Sequence, residues 1–362
     1  MSIITKMASF DDDIDFRRVW RLGLALSALL IVLSGIGMIG RGFNLGIDFE
    51  GGTSWDVPGD ELSVDDARAA VEGSGLSVAK VQTLGRGDSR IVRVQSPSSS
   101  EEAQVAASEA LAEAAGIEVS DISVSTVGPS WGDQVSSKAQ RALGVFFVLI
   151  TVYMVVRLEW KMAAGALAAV VHDLVISVGV YALFQIEITP ATVIAFLTIL
   201  GYSLYDTIVV FDRMQANAAL LATSSRRSYT DIVSLSLNQV LMRSVNTTIT
   251  SLLPVLSLLL VGSTLMGALA LQEFGLALAI GLLSGAYSSI VVAAPAVAWL
   301  KEREPRNREL RLRARSAQGP IDSPIAAARV ATGSPRPSTD RPAPALSGRP
   351  VPPRPRKKGK KR

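Results

Sequence analysis

The chain has 362 residues, of which 49% are hydrophobic and 19% charged, and this composition indicates a membrane protein rather than two or three soluble domains. It contains no cysteine, which excludes disulfides, thiol catalysis and thiolate metal sites. The formal net charge of +4 averages over unequal regions, because residues 301–362 hold 18 Lys and Arg against 5 Asp and Glu, whereas residues 41–138 hold 7 against 16.

The first predicted element is a transmembrane helix at residues 22–40, a run of 19 uncharged residues that follows a charged segment at 1–21. A membrane-spanning helix needs about 17–25 mainly apolar residues, so this run is long enough. Acidic residues, including Asp11, Asp12 and Asp13, stand among the basic ones before it, and no small-residue cleavage site follows it. These features argue against a cleaved signal peptide, and we interpret the run as an uncleaved anchor behind a cytoplasmic N-terminus.

Residues 41–138 separate this run from the next one, and their pattern predicts a small extracytoplasmic α+β domain. The stretch "NLGIDFEGGTSWDV" alternates apolar and polar residues, which predicts a strand kinked at Gly51-Gly52. Two predicted helices with serine starts, "SVDDARAAVEGSG" and "SSEEAQVAASEALAEAAG", are interspersed with the predicted strands "AKVQTLG", "RIVRVQS" and "ISVSTVG". The resulting order, β-α-β-β-α-β, is that of ferredoxin-like domains.

Two features of this domain have competing interpretations. Asp48 and Glu50 would share one face of the predicted strand, but a solvated face is favoured over a catalytic pair or cation site because no histidine or third ligand accompanies them. The tripeptide Arg86-Gly87-Asp88 is favoured as a tight turn over an adhesion motif. The domain shows no catalytic constellation, so binding or mechanical work is the expected role.

Residues 139–300 carry five more apolar runs, which makes six predicted transmembrane helices. The five runs lie at residues 142–156, 162–186, 191–211, 244–271 and 274–300. Lys and Arg occur in the connections after the second and fourth runs and are absent from those after the third and fifth. Because cytoplasmic loops carry the excess of Lys and Arg, both termini are predicted to be cytoplasmic, and residues 41–138 to lie outside.

An acid interrupts the fourth run, at Asp206 in the stretch "GYSLYDTIVVFDR". A charged side chain at membrane depth costs about 2.5–3.5 kcal/mol on insertion scales, so an intramembrane acid is a candidate functional residue. Thr198, Tyr202 and Asp206 share one helix face at a spacing of four residues. Arg243 immediately precedes the fifth run at a similar predicted depth, because Asp206 lies five residues, about 7.5 Å, from the cytoplasmic end of its own run.

Three other runs carry stripes of polar or small residues. These are Arg243, Asn246, Thr247, Thr250, Ser251 and Pro254 in the fifth run, Asp173, Ser177 and Tyr181 in the third, and Gly281, Ser284, Gly285 and Ser288 in the sixth. Such faces suit contacts inside a helix bundle, where hydroxyls are more often structural than part of a proton path. Arg243 is as consistent with a positively charged flank as with a functional role, and His172 with a cap on a network around Asp173.

Four ordered motifs resemble those of the SecF family, the smaller subunits of the SecD–SecF pair that assists the bacterial Sec protein translocase. They are "NLGIDFEGGT" and "VGPSWGDQV" at the two ends of the predicted outer domain, "GYSLYDTIVVFDR" in the fourth run, and "NQVLMRSVNTTITS" entering the fifth. The resemblance runs from about residue 41 to residue 300 and leaves out the tail. Tyr205 departs from the commonest family pattern, in which many relatives carry Asn.

The resemblance implies an α-helical membrane protein with six transmembrane helices, half of an RND-type bundle, plus an exported α+β ferredoxin-like (βαββαβ) domain. It implies a transport subunit without enzymatic activity and without a metal or organic cofactor. The family's proton-pathway acid matches Asp206 and its basic residue matches Arg243. Asp173, His172, Tyr202 and Thr247 are weaker candidates for the same pathway.

The implied function is to use the proton motive force for late steps of protein export across the bacterial cell membrane. The implied partners are SecD, which would supply six further helices, SecYEG and SecA, the translocating preprotein, membrane lipids and the small accessory protein YajC.

Two other functions are compatible with the sequence: a half-size RND-type exporter of lipids or drugs, and a passive scaffold for assembly of the translocon. Exporters of that class usually carry twelve spans and two loops in one chain. An intramembrane protease is disfavoured, because His172 is the only histidine and no serine or acid pair accompanies it. The basic, Pro-rich tail at 301–362 is predicted to be disordered, and a solvated role is slightly favoured over binding to anionic lipid or ribosomal RNA.

Overall fold

The computed structural model describes residues 14–59, 62–78, 80–84, 90–97, 100–221, 228–264, 269–305 and 307–309. The predicted turn at residues 86–88 and the predicted disordered tail beyond residue 309 lie outside these ranges.

Within the described residues, six helices are long and apolar enough to cross a membrane, so the six-span prediction is confirmed. We number them spans one to six: Phe16–Gly40, Pro129–Arg157, Trp160–Phe184, Pro190–Leu221, Tyr229–Thr264, and a sixth built from Leu269–Ser288, a wider π-type turn at Ser289–Ala293, and Ala294–Glu302. The predicted boundary between the last two was wrong, because residues 269–271 belong to span six.

Spans four and five are much longer than the apolar runs that predicted them. Their extensions pack against each other beyond those runs, where Asn217 Nδ2 donates hydrogen bonds to Ser236 Oγ at 2.9 Å and to Gln239 Oε1 at 2.8 Å. These polar contacts stabilise both helices beyond the ends that hydropathy alone predicts.

Spans three, four and six form the centre of the bundle. About half of the most apolar stretch of each is buried (50%, 50% and 56%), against 17%, 6% and 11% for spans one, two and five. Small residues allow the close approach: a Cβ added at Gly285 of span six would lie 2.9 Å from Ser203 Cβ of span four. Likewise, a Cβ at Gly179 of span three would lie 2.0 Å from Ser34 Oγ of span one. Polar residues on spans three, four and six are therefore brought together away from lipid.

Between spans one and two the chain folds into an α+β domain with the predicted β-α-β-β-α-β order. Its elements are β1 Gly52–Pro58, α1 Val64–Gly73, β2 Lys80–Leu84, β3 Ile91–Ser96, α2 Glu101–Ala115 and β4 Ser123–Val127. The sheet is antiparallel in the order β2-β3-β1-β4, the ferredoxin-like arrangement. Serine caps start both helices, since Ser63 Oγ accepts from Asp66 N and Ser100 Oγ from Ala103 N.

The two faces of this sheet differ in polarity. Trp55, Val57, Val92 and Val94 point toward α1 and α2 and form a buried core with Leu111 and other residues of those helices. The alternate positions on β1 and β3 are polar. They are Ser54, Asp56, Arg93 and Gln95, and they face a cavity beside the helix bundle. The strand period of two therefore separates a packing face from a polar face.

The predicted strand at residues 45–50 was wrong. Leu45 makes an isolated bridge to Ile188, and Ile47–Glu50 form a single helical turn before β1 starts at Gly52. The turn buries Phe49 in a cluster with Tyr181 and Phe196, a contact with the bundle that alternation along a strand would not provide. Gly51 (φ 78°) and Gly52 (φ 129°) then connect this turn to β1 with positive φ angles that favour glycine.

A fragment spanning residues 44–135 is expected to fold by itself, because the α1/α2 side of its sheet is closed by its own residues. Far-UV circular dichroism should show α+β structure and a cooperative urea transition. Trp55→Ala should then lower its free energy of unfolding by about 3–5 kcal/mol, since the fully buried indole leaves a cavity and Ser108 loses its donor. Val105→Ala, at an exposed position of α2, is the control. A non-cooperative fragment, or equal effects of both variants, would contradict the packing.

Candidate functional site

Asp206 lies in the middle of span four and is 7% exposed. Its Oδ1 accepts a hydrogen bond from Ser244 Oγ of span five at 2.7 Å. Its Oδ2 is buried without a hydrogen-bond partner. A buried carboxylate oxygen that lacks a donor is costly when charged, so this group is poised to hold a proton or to accept a new partner.

Arg243 neighbours Ser244 on span five, and its guanidinium is bonded to Tyr205 rather than to Asp206. Its Nη2 donates to Tyr205 Oη at 3.3 Å, and no ion pair within 4.0 Å joins it to the Asp206 carboxylate, although the structure describes both residues. Spans four and five are thus linked by two adjacent contacts, a buried one between Asp206 and Ser244 and an exposed one between Tyr205 and Arg243. The structure brings the two predicted residues to the same level of the bundle but does not pair them.

Tyr202 and Thr247 extend the same interface. Tyr202 Oη donates to the backbone carbonyl of Thr247 at 3.2 Å and shares a 2.5 Å hydrogen bond with Ser251 Oγ. The Thr247 hydroxyl instead bonds to carbonyls of its own helix, at Arg243 and Ser244. Of these two candidates, therefore, only Tyr202 places a side-chain hydroxyl between the spans.

Asp173 of span three is completely buried, and its carboxylate is well satisfied. It accepts hydrogen bonds from Ser203 Oγ at 2.6 Å and from Ser284 and Ser288 Oγ at 2.7 Å each, and His172 Nδ1 lies 3.3 Å away. These donors come from spans four and six, so one carboxylate joins the three central helices. The predicted stripes on spans three and six meet here.

His172 contacts this network through one of its two ring nitrogens. Its ring stacks on Tyr287 with centroids 6.0 Å apart, and its Nε2 is buried without a partner. The neighbouring cavity, of about 390 Å³, is lined almost entirely by apolar side chains of spans one and three. Ser27 is the other polar residue among those lining this cavity, which offers the His172 ring no charged partner.

Three hydroxyl residues near the two acids, Ser203, Thr207 and Ser289, were not singled out from the sequence. Thr207 follows Asp206 and shares a 2.9 Å hydrogen bond with Ser289 Oγ, while its hydroxyl also donates to Ser203 O at 3.1 Å. Ser289 begins the π-type turn of span six, a feature often found at functional sites. Ser203, Thr207 and Ser289 thus form one hydrogen-bonded group with Asp173, and only Ser203 and Thr207 stand in a quoted motif.

A second polar cluster joins the α+β domain to the bundle. Arg93 of β3 contacts Asp56, Glu187 and Glu273, the last two from the span three–four connection and the start of span six. Burial would lower the pKa of Arg93, but the hydrogen bond and charge of Asp56, together with both glutamates, outweigh burial and raise it. Burial and then the Glu187 charge raise the pKa of the nearby Asp48. One sequence feature indicates this cluster: Glu187 is the only charged residue in the short connection between spans three and four.

Asp48 and Glu50 lie on the single helical turn rather than on a strand face. Asp48 lines the cavity next to Arg93, while Glu50 is exposed. Across the described ranges, no three His, Asp or Glu side chains are arranged to hold a metal ion.

Comparison with known proteins defines the class of this bundle and its attached domain. Residues 107–303 match the family described as "Protein export membrane protein SecD/SecF, C-terminal", and residues 36–55 match the "SecD/SecF GG Motif", which contains Gly51-Gly52. The crystal structure of SecDF, a translocon-associated membrane protein from Thermus thermophilus, superposes with a TM-score of 0.73 at 32% identity, covering 84% of this chain and 40% of that one.

Relatives narrow the assignment. Protein translocase subunit SecF of Streptomyces coelicolor is 40% identical over 311 residues, covering 85% of this chain and 82% of the relative. The subunit of the same name from Mycobacterium tuberculosis is 37% identical over 318 residues, covering 85% and 71%. Protein translocase subunit SecDF of Thermus thermophilus is 34% identical over 301 residues, covering 81% and 40%.

The chain belongs to the SecF family of protein translocase subunits. It is a multi-pass membrane protein with an accessory role in the Sec translocase, and members of the family are transport components rather than enzymes. This membership favours the translocase over a lipid or drug exporter.

The contrast between the two buried acids predicts different costs of removal. Asp173→Ala should lower the melting temperature of the detergent-purified protein clearly, because three serine hydroxyls lose their acceptor at about 1–3 kcal/mol per unsatisfied buried group. Asp206→Ala removes one hydrogen bond and should lower it much less. Asp212→Ala, at an exposed position of the same span, is the control. Equal melting temperatures for the Asp173 and Asp206 variants would show that the serine cluster is not structural.

Proposed function

We propose that this chain is the SecF-type half of a proton-coupled SecD–SecF unit in the bacterial cell membrane, with both termini in the cytoplasm. In this proposal the unit uses the proton motive force for late steps of protein export, and Asp206 is the residue that gains and loses the proton. The observation that carries the proposal is the buried Oδ2 of Asp206, which has no hydrogen-bond partner at the junction of spans four and five.

Two states of Asp206 follow from its surroundings. With Arg243 held by Tyr205, as here, a charged Asp206 would be unpaired at membrane depth, so the neutral form is favoured. If the Arg243 side chain moves from Tyr205 onto Asp206, the charged form gains a cation and becomes the stable one. Because the two residues sit on different helices, exchange between these states changes the contact between spans four and five. Proton gain and loss would thereby be linked to helix packing.

An uncovered polar face supports pairing with a second membrane subunit. Thr198 and Tyr205 of span four and Arg243, Asn246 and Thr250 of span five are all exposed on the isolated chain. Polar side chains facing hydrocarbon are unfavourable, whereas across a helix–helix interface they act as hydrogen-bond partners. Because SecDF of Thermus thermophilus combines both parts and this chain spans 40% of it, SecD is the proposed occupant of this face. SecYEG, SecA, the preprotein, lipids and YajC are proposed from family membership alone.

A passive scaffold is the competing function, and one observation favours it. The buried Asp173 carboxylate accepts hydrogen bonds from three serines of neighbouring spans, an arrangement that a structural role alone would account for. Asp206 differs from Asp173 by having one donor instead of three, which is the reason for preferring the proton-coupled role.

The Asp206 role is tested by export into sealed membrane vesicles, with and without a proton gradient, at matched levels of the assembled complex. Asp206→Asn fixes the site as neutral, so the complex should assemble while gradient-stimulated export falls close to the level without the subunit. Arg243→Met should fail similarly, because the charged state loses its cation, and Asp206→Glu should keep part of the activity.

Thr151→Ala on span two is the matched control, since its hydroxyl bonds to the Phe147 carbonyl of its own helix at 2.7 Å and lies away from the proposed partner face. Full gradient-dependent export by Asp206→Asn would contradict the proton-relay role and favour the passive scaffold.

The partner face is tested separately by a bulky substitution. Asn246→Trp should reduce copurification of the six-helix partner in mild detergent, because the indole prevents close approach of a facing helix. Val148→Trp on span two places the same side chain on an exposed apolar face and should leave copurification unchanged. Retention of the partner by Asn246→Trp would place the interface elsewhere on the bundle.

A further inference from the structure

We propose that Arg93, Glu187 and Glu273 form a coupling joint through which movements of the helix bundle reach the α+β domain. The inference rests on the proposed function, and it assigns the residues that would carry work from the membrane to the exported part of the chain.

Arg93 is held on the domain side in a fixed orientation. Its Nε and Nη2 donate to the two carboxylate oxygens of Asp56 at 2.7 and 3.0 Å. Asp56 is its cross-strand partner in the β1–β3 register, so both ends of this bidentate contact belong to one rigid sheet. The remaining Nη1 points at the bundle, where it donates to Glu187 Oε2 and Glu273 Oε1, each at 3.2 Å.

Glu187 gathers further contacts from the same sheet. Gln95 Nε2 of β3 donates to its Oε1 at 2.6 Å, and Gln82 Nε2 of β2 to its Oε2 at 3.2 Å. The residue is 6% exposed although it lies in a connection between helices. Three side chains from two strands therefore converge on one carboxylate of the bundle.

The bundle side of the joint belongs to the central helices. Glu187 lies between spans three and four, and Glu273 lies in the first turns of span six, where Thr189 Oγ1 also donates to its Oε2 at 2.9 Å. Spans three, four and six are the helices joined by Asp173, and span four carries Asp206. A displacement of this group of spans would move the two glutamates that Arg93 bridges.

A pivot lies next to the joint. Gly46 N donates to Ile188 O at 3.0 Å, and Ile188 N donates to Asn44 O at 2.8 Å, so the chain entering the domain is bonded to the residue after Glu187. Beyond the pivot, a cavity of about 350 Å³ separates much of the polar sheet face from the bundle, and the buried Ser54 Oγ beside it has no partner. The sheet thus meets the bundle at a backbone pivot and a charged contact rather than across a close-packed surface.

Ion pairs suit a joint that must not slip. A buried guanidinium or carboxylate that loses its partner keeps its desolvation cost, so partly separated arrangements are unfavourable and the contact is either made or fully opened to water. An apolar contact of the same size would slide between many positions of similar energy. The charged cluster therefore keeps the α+β domain in a defined position relative to the bundle when it transmits force.

The first test measures the joint directly. Because the chain has no cysteine, spin labels can be attached only at introduced sites, at Glu109→Cys on α2 and Phe184→Cys at the end of span three, both exposed positions. In the complex with its copurified partner, the wild-type distance distribution should be narrow. Arg93→Met should broaden and shift it.

Arg68→Met is the matched control, because the Arg68–Glu72 pair at 4.0 Å lies within α1 on the solvent side of the same domain. It should leave the distribution unchanged. An unchanged distribution in Arg93→Met, or equal broadening in both variants, would overturn the joint.

The second test measures transmission in the vesicle assay. Arg93→Met and Glu187→Gln should lose gradient-stimulated export while keeping partner binding, and the double variant should lose no more than either alone. Arg93→Lys, which keeps the charge without the fork, should be intermediate. Full stimulation in Arg93→Met would overturn the joint.

If Arg93→Met prevents folding, Glu273→Gln tests the joint instead. It leaves the contacts of Arg93 with Asp56 and Glu187 in place, and it should still lose gradient-stimulated export. Full stimulation by a folded Glu273→Gln would count against the joint in the same way. If export by the wild-type protein does not depend on the proton gradient, the proposed function is contradicted. The spin-label comparison would still test whether the joint exists.

Discussion

The absence of water at membrane depth is the constraint on which this structure depends. Every polar group placed there must find its partner within the protein, and each group left over is costly. Asp173 meets the constraint by accepting from serines on two other spans, which selects spans three, four and six as the centre of the bundle. The small residues around it, such as Gly285 against Ser203, let the helices come close enough for hydroxyls to reach the carboxylate.

Asp206 is informative because it satisfies the same constraint only in part. One oxygen is bonded to Ser244 and the other has no partner, while the nearest predicted cation is held by Tyr205. The same helices therefore contain one acid whose hydrogen bonds are satisfied and one whose hydrogen bonds are satisfied only in part. The Arg93 cluster extends this arrangement outward, since its two glutamates are attached to the helices that the satisfied acid joins.

The features that the sequence predicted are those that depend on the spacing of apolar and polar residues or on the length of an apolar run. Apolar run length predicted six spans, and the residue pattern predicted the strand β3, on which Val92 and Val94 lie in the core and Arg93 on the other face. Helical spacing placed Asp173, Ser284 and Ser288 on inward stripes, and they meet. Alternation failed at residues 45–50, where the same pattern serves a helical turn that buries Phe49 against the bundle.

Contacts between distant segments were beyond such patterns. Arg93 is 94 residues from Glu187 and 180 from Glu273, so no periodicity connects them. The level of Arg243 relative to Asp206 followed from helix direction and rise, but the choice of Tyr205 as its partner depends on side-chain rotation. That rotation is decided by packing, which a stripe of residue types does not encode.

The π-type turn at Ser289–Ala293 sets the angular phase between the two halves of span six. Continued at 3.6 residues per turn from Ser288, the inward face would reach Pro295 and Trp299. Instead Val297 and Lys301 are buried and Trp299 is 55% exposed, so the inward face of the second segment is rotated away from that line, in the direction that the wider turn gives. Span six is therefore two helical segments whose buried faces are out of phase. Loss of one residue here would leave both segments helical, yet it would rotate Lys301 away from Glu159 and turn the indole of Trp299 into the bundle.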